Sequence, residues 1–243
     1  MKLSEKEKAA HRAAFRSMSL QEKLEHIFTY YKWPILLGLV ALVILGSTVR
    51  RQLTKKEPVL YLGYANVEVG EDLEQRLTGD FLRVIGADTR RQEVALYRGL
   101  YLSDDADVLN HEYAYASQIK VMGAVNAKTL DVVLMNREAY DLLSARGYLL
   151  ELTALPDEFG PALRGCITSN AVILSDNAIE WQLGEAETHE VVTESVENGI
   201  ALSSLPLFEG AGFDEPIYLG IIVNSPRLNE AMQYADYLFS SGL

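Results

Sequence analysis

Between Trp33 and Val49 the chain reads WPILLGLVALVILGSTV, with no charged side chain and only Ser47 and Thr48 as polar aliphatic positions. An unbroken apolar run of this length, with Tyr30, Tyr31 and Trp33 clustered at one end, predicts a single transmembrane helix over residues 33–49. Pro34 falls in the first turn, where its missing N–H costs little. An interfacial helix would carry a charged face, and a signal peptide would begin nearer the start and end on a small-x-small site. Neither pattern is present. Before the run, residues 1–32 predict two short basic amphipathic helices. Ser4 with Glu7 and Ser19 with Glu22 match capping boxes, and Leu20, Leu24, Ile27, Phe28 and Tyr31 share one face.

After a short polar linker over residues 50–57 the pattern changes to alternating strand and helix signals, predicting one body over residues 58–243. VLYLGYANV (59–67) predicts a strand. Residues 72–85 predict a helix with Leu73, Leu77, Phe81 and Val84 inward and Gly86 as its stop. A second strand is expected over 93–102. A helix capped by Asp107 or Asn110 then runs to about Ala127, with Tyr115, Ile119 and Met122 along its apolar stripe. DVVLM (131–135) reads as a strand buried on both faces, and Asn136 caps a helix closed by Gly147. An edge-like strand is expected over 148–152, then short strands over 171–174, 179–183 and 190–196 with a turn at 184–187. A strongly apolar strand follows over 217–223. Ser225 and Pro226 begin a last helix as N-cap and N1, with Leu228, Ala231, Met232, Ala235, Leu238 and Phe239 inward. This alternation implies an α/β fold with a mainly parallel sheet covered on both faces. The middle strands form either a second lobe or an antiparallel extension.

Charge separates the two parts. Residues 1–56 carry 11 Lys and Arg against 4 Glu, a net of +7; residues 57–243 carry 11 against 30 acidic residues, a net of −19. A basic arm with one apolar run and an acidic body reads as a tether and its cargo. Past Arg146 only Arg164 and Arg227 remain, which argues against nucleic acid and against an anionic lipid surface as partners of the body. Orientation is balanced locally, with Arg16, Lys23 and Lys32 facing Arg50, Arg51, Lys55 and Lys56 across the run. The whole arm, with 7 against 4, places the N terminus inside. The single cysteine, Cys166, allows neither an internal disulfide nor a cysteine-based zinc site.

Motifs for chemistry are sparse. The chain has no G-x-S-x-G, no phosphate-cradling G-x-x-x-x-G-K and no G-x-G-x-x-G after a strand. His111-Glu112 has no second histidine at helical spacing, and Asp104-Asp105-x-Asp107 lacks the glycine and late glutamate of a calcium loop. No cofactor or metal is called for, and no enzyme is expected. The run Glu185, Glu187, Glu190, Glu194 and Glu197 reads as a solvated face, with a charged partner surface as the alternative. In open α/β sheets, ligands sit beyond the carboxyl ends of the parallel strands. Asn66, Asn136 and Asn224 fall at such ends, and Ser203 lies in a nearby loop. Those four are the candidate ligand-binding residues, each as an uncharged hydrogen-bonding group. The alternative for each is a helix cap or chain turn.

Gln118 to Leu155, QIKVMGAVNAKTLDVVLMNREAYDLLSARGYLLELTAL, and Pro216 to Phe239, PIYLGIIVNSPRLNEAMQYADYLF, resemble segments of extracellular solute-binding proteins of bacterial importers. YYKWPILLGL is similar to the membrane anchor of small bacterial proteins carrying a compact version of that domain. The resemblance implies a type 2 periplasmic-binding-protein-like body outside the cell, on a helix where such proteins often use a lipidated cysteine. It implies binding of a small solute or peptide in a cleft between lobes, with possible report to a membrane-protein partner. The alternative is a non-enzymatic interaction or scaffold subunit of a membrane complex that uses the fold without a ligand.

Overall fold

The computed structural model describes residues 33, 36–47, 56–105, 110–154 and 160–240. The chain divides into two units, residues 1–55 and 56–243.

In the first unit, Trp33 and residues 36–47 are helical and every described side chain is exposed. The Ser47 hydroxyl donates to the Ile44 carbonyl at 2.8 Å. Twelve consecutive helical residues span about 18 Å, short of the roughly 30 Å of a bilayer core. Among the described residues, no helix is long and apolar enough to cross a membrane. The flanks of the expected 33–49 span, the helices over 1–32 and most of the 50–57 linker lie outside the described residues.

The second unit is an α/β domain on one six-stranded mixed sheet. Its strands are β1 (Glu57–Ala65), β2 (Gln92–Leu100), β3 (Val132–Met135), β4 (Ile167–Asp176), β5 (Val191–Ala201) and β6 (Tyr218–Ile221), in the spatial order β2-β1-β3-β6-β5-β4. Helix α1 is built of Glu71–Gln75, a π-helical turn at Arg76–Asp80 and Phe81–Val84. The others are α2 (His111–Asn126), α3 (Arg137–Ala145), α4 (Pro161–Arg164), α5 (Ala178–Gln182) and α6 (Leu228–Ser240).

Period-two alternation in β1 and β3 divides the core into two layers. Leu60, Leu62, Tyr64, Val132 and Leu134 pack with Leu77 and Phe81 of α1 and Tyr234 and Leu238 of α6. Phe81 meets Tyr234 edge-on, with centroids 4.9 Å apart. On the other face, Ala65, Val133 and Met135 pack with Val121 and Ala124 of α2 and Tyr140 and Leu143 of α3. All four β3 residues are buried, as an apolar run at the sheet centre should be. Gly86 and Gly147 end their helices at φ 71° and 66°.

Several expectations are corrected. The sheet is parallel only across β2-β1-β3; β6, β5 and β4 each run antiparallel to their neighbours. Of the two alternatives for the middle strands, the antiparallel extension is the one found, and there is no second lobe among the described residues. These strands extend the same sheet, because β5 joins β6 through Ile200 and Ala201. Residues 179–183 are not a strand: α5 covers Ala178–Gln182, its start fixed by Asp176 Oδ1 accepting the Ala178 N–H at 2.9 Å. The expected strand at 148–152 reduces to one bridge, Leu149 to Ile222, followed by a 3-10 turn at Leu152–Ala154. Tyr115, Ile119 and Met122 face solvent. α2 instead turns its small residues Ala114, Ser117, Ala124 and its valines inward, which lets its backbone approach the sheet. The last helix runs from Leu228, and the Ser225 hydroxyl serves its approach as expected of a cap, accepting the Arg227 N–H at 3.1 Å while donating to Asp131 Oδ1 at 2.6 Å.

Candidate functional site

At the carboxyl ends of β1 and β3 the chain leaves a cleft of about 310 Å³, lined by Asn66, Glu68, Asn136, Asp214 and Glu215 with Val67, Phe213 and Ile217 as apolar wall. No lysine or arginine lines it. Because β6 is antiparallel, its amino end lies here, and the loop that precedes it supplies residues 212–217.

Two of the four predicted site residues meet in this cleft. Asn66 sits at φ 57°, a left-handed conformation that asparagine tolerates better than most residues. Its Oδ1 accepts the Leu102 N–H and its Nδ2 donates to the Leu102 carbonyl, both at 2.7 Å, with Glu138 Oε2 at 3.3 Å. Asn136 caps α3, its Oδ1 accepting the Ala139 N–H at 3.0 Å while Nδ2 donates to Glu215 Oε2 at 2.9 Å. Both amides are thus engaged in holding chain segments together.

The other two lie elsewhere. Ser203 Oγ accepts the Ile217 N–H at 2.9 Å and fastens the loop before β6. Asn224 was expected at a carboxyl end shared with Asn66. The reversed direction of β6 places it at the opposite end of the sheet, where Nδ2 donates to the Val125 carbonyl at 2.9 Å. Its Oδ1 is buried without a partner.

That opposite end holds a group the sequence did not single out. Asp131 is fully buried just before β3. Its Oδ2 accepts the Tyr61 N–H at 2.8 Å and Arg227 Nε at 2.7 Å, and its Oδ1 accepts the Ser225 hydroxyl at 2.6 Å. Arg227 also donates to the Lys128 carbonyl at 2.7 Å and lies 4.6 Å from the Tyr61 ring centre. Both carboxylate oxygens of this buried group thus have partners, as a buried polar group requires. It binds β1, β3 and the approach to α6 into one unit.

The most exposed feature of the domain is an arm formed by β4, α5 and β5. β4 is one of the two edge strands, and from Val191 to Gly199 the only strand β5 pairs with among the described residues is β4. A lone two-stranded ribbon is marginal in water, so the arm needs a root. The root is a buried polar network. The Tyr140 hydroxyl lies 3.0 Å from the Thr168 carbonyl and 2.9 Å from Asn198 Oδ1; Asn198 Nδ2 donates to Ser144 Oγ at 2.8 Å, which donates to the Ala171 carbonyl at 2.8 Å. Burial pushes the Tyr140 phenol well above its ordinary range, so it remains a donor. Gly199 is required beside it, since a Cβ there would lie 2.5 Å from the Tyr140 ring.

The tip has its own bonds. Asn177 Oδ1 accepts the Glu190 N–H at 2.7 Å and its Nδ2 donates to the Thr188 carbonyl at 2.9 Å. His189 Nε2 lies 2.8 Å from Asp176 Oδ1, and that contact holds the Asp176 carboxyl below the usual carboxylate range. Trp181 stacks on His189 with centroids 5.4 Å apart. None of α5 is buried; Ile179 and Trp181 are 71% and 47% exposed, its C-cap Leu183 is 68% exposed, and Leu174 near the end of β4 is 61% exposed. The predicted acidic run is indeed exposed at Glu185, Glu187, Glu190, Glu194 and Glu197, apart from its turn neighbours. The signal available in the sequence was the absence of lysine and arginine from 165 to 226.

Among the described residues, no group of three or more His, Cys, Asp or Glu side chains could hold a metal ion. No protein-family model matches the chain, and no curated protein or solved structure shows significant similarity to it.

Proposed function

We propose that this chain is a non-enzymatic interaction subunit, tethered to the cell membrane by one helix over residues 33–49 and displaying its acidic α/β body outside the cell. The observation that carries this reading is the arm: a rooted ribbon ending in α5, none of whose side chains is buried. Monomeric proteins seldom expose contiguous large apolar side chains without a partner for them. The single sheet adds to it, because a solute-binding cleft between lobes needs a second lobe.

The test uses the full chain in native membranes with a photocrosslinking amino acid at Leu183, compared with the same probe at Arg91, an exposed position before β2 on another part of the body. A discrete protein adduct from position 183, absent from position 91, is expected. Equal, diffuse adducts from both positions would sink the reading.

A second reading retains a small solute or peptide as ligand of the cleft, favoured by the meeting of Asn66 and Asn136 there. Its acidic lining, with Glu68, Asp214 and Glu215, suits a cationic solute. A ligand at a hundred times its dissociation constant adds about 2.7 kcal/mol to stability. A thermal-shift screen of amino acids, amines, sugars and short peptides that stays flat removes this reading. A shift lost in Glu215→Gln establishes it.

A further inference from the structure

The arm's chemistry narrows the partner, an inference that rests on the interaction-subunit reading above. From Gly165 to Gly199 the chain carries seven carboxylates, Asp176, Glu180, Glu185, Glu187, Glu190, Glu194 and Glu197, and no lysine or arginine. Every one of these carboxylates is at least partly open to solvent. The basic side chain nearest the tip is His189, and it faces Asp176.

Apolar side chains are interleaved with this charge. Ile173 pairs opposite Thr193, so it shares a ribbon face with Val191, two residues along from Thr193. The opposite face carries Val172, which points towards Gly147 at the end of α3. Ile173 and Val191 therefore lie on the face turned away from the α3 end, and α5 with its C-cap Leu183, which follows β4 at the end where Asp176 pairs with Val191, exposes Ile179, Trp181 and Leu183.

We infer that the arm docks a basic segment of another protein, in which lysine or arginine side chains alternate with leucine-like ones. Three other occupants fit poorly. A second copy would set seven carboxylates against seven. An anionic lipid surface and a nucleic acid would each set phosphates against them. A cationic, apolar-bearing segment satisfies both features at once: its apolar side chains cover the exposed cluster, and its charges meet the surrounding carboxylates and steer the encounter. Beyond the root, where Tyr140 and Ser144 take up the Thr168 and Ala171 carbonyls, neither ribbon edge has a further strand beside it among the described residues, so an extended segment can pair there.

The readout is built into the arm. The chain has two tryptophans, Trp33 and Trp181. In the full chain carrying Trp33→Phe, held soluble in an amphipol and excited at the red edge where tyrosine does not absorb, emission comes from Trp181 alone. The probe is a ten-residue peptide of alternating lysine and leucine, compared with a lysine–serine and a glutamate–leucine peptide of equal length. A saturable blue shift with the lysine–leucine peptide only is expected, weakening as salt screens the charges. The quadruple variant E185Q/E187Q/E190Q/E194Q should bind about tenfold more weakly, the sum of several exposed pairs. Leu183→Ser should also weaken binding; both variants alter exposed side chains and leave the root intact. No shift, an equal response to the lysine–serine peptide, or an undiminished response in the quadruple variant would overturn the inference. So would a blue shift with phosphatidylcholine vesicles in place of peptide, which would make the arm a lipid contact. If the peptide fails while position 183 still crosslinks to a protein, the partner chemistry is wrong and the interaction reading stands. If both fail, both fall.

Discussion

Replacing Asp131 by alanine should be among the most damaging single changes in the body. The carboxylate is fully buried and receives the Tyr61 N–H, the Ser225 hydroxyl and Arg227 Nε at 2.6 to 2.8 Å. Removing one member of a buried ion pair typically costs about 3–5 kcal/mol, because the remaining charge is left uncompensated. Arg227 is not sealed in: its side chain is 24% exposed, and it keeps the Lys128 carbonyl and the Tyr61 ring. That pulls the charge contribution to the low end. The stranded Tyr61 N–H adds about 1 kcal/mol or more. The expected loss is about 3–4 kcal/mol, which for a body of this size corresponds to a fall in Tm of roughly 10 °C. Thermal and urea unfolding of the full chain in nonionic detergent, followed by near-ultraviolet circular dichroism, measures it. Arg227→Met should cost about as much, and the double variant much less than the two losses together, with a coupling of about 2 kcal/mol. Additive losses, or an Asp131→Ala loss below about 1 kcal/mol, would refute the view that this pair ties the chain's final third to the sheet.

Gly199→Ala should destabilise by about 1–3 kcal/mol through overpacking against the Tyr140 ring, and should loosen the arm, seen as faster amide exchange over β4 and β5. Tyr64 has a buried hydroxyl without a partner, so Tyr64→Phe should leave stability unchanged or raise it by up to about 1 kcal/mol in urea melts. The paired hydrogen bonds from Arg98 hold the Glu74 carboxyl below its ordinary value. A depressed folded-state pKa stabilises above the unfolded value and loses that effect as pH falls through the folded one. Arg98→Met should therefore cost no more than about 1 kcal/mol at neutral pH, since Arg98 is largely exposed, and the difference from the parent chain should fade in melts taken below the ordinary glutamate value of about 4.3.

The elements that could be read in advance were those whose determinants are local. The apolar run DVVLM was recognisable as a doubly buried strand because burial on both faces demands it. Asn136 was recognisable as a cap, and Gly86 and Gly147 as helix stops, because each acts within a few residues. The strands that failed had apolar composition but too little to pair with: 148–152 meets its neighbour only around Leu149, and 179–183 folds as α5 instead. Strand identity depends on that neighbour, and single sequences do not show it. The stripe on α2 failed for a related reason: both of its faces carry apolar side chains, and close packing selected the smaller ones.

The candidate site divides along the same line. Sequence alone placed Asn66 and Asn136 at the carboxyl ends of the first and third strands; the pairing of β1 with β3 makes those ends neighbours, and the two residues share a cleft. It also established the acidic body, the basic arm before it and the long stretch without lysine or arginine, since charge needs no fold to be counted. The direction of β6 was decided only in three dimensions, by hydrogen bonding to β3, and that one reversal carried Asn224 to the far end of the sheet. The partnership of Asp131 with Arg227, 96 residues apart, and the exposure of Trp181 at the end of a rooted arm were settled by the same long-range pairing. Local sequence specifies propensity and charge; which surfaces are covered, and which are left for a partner, follows from how distant strands pair.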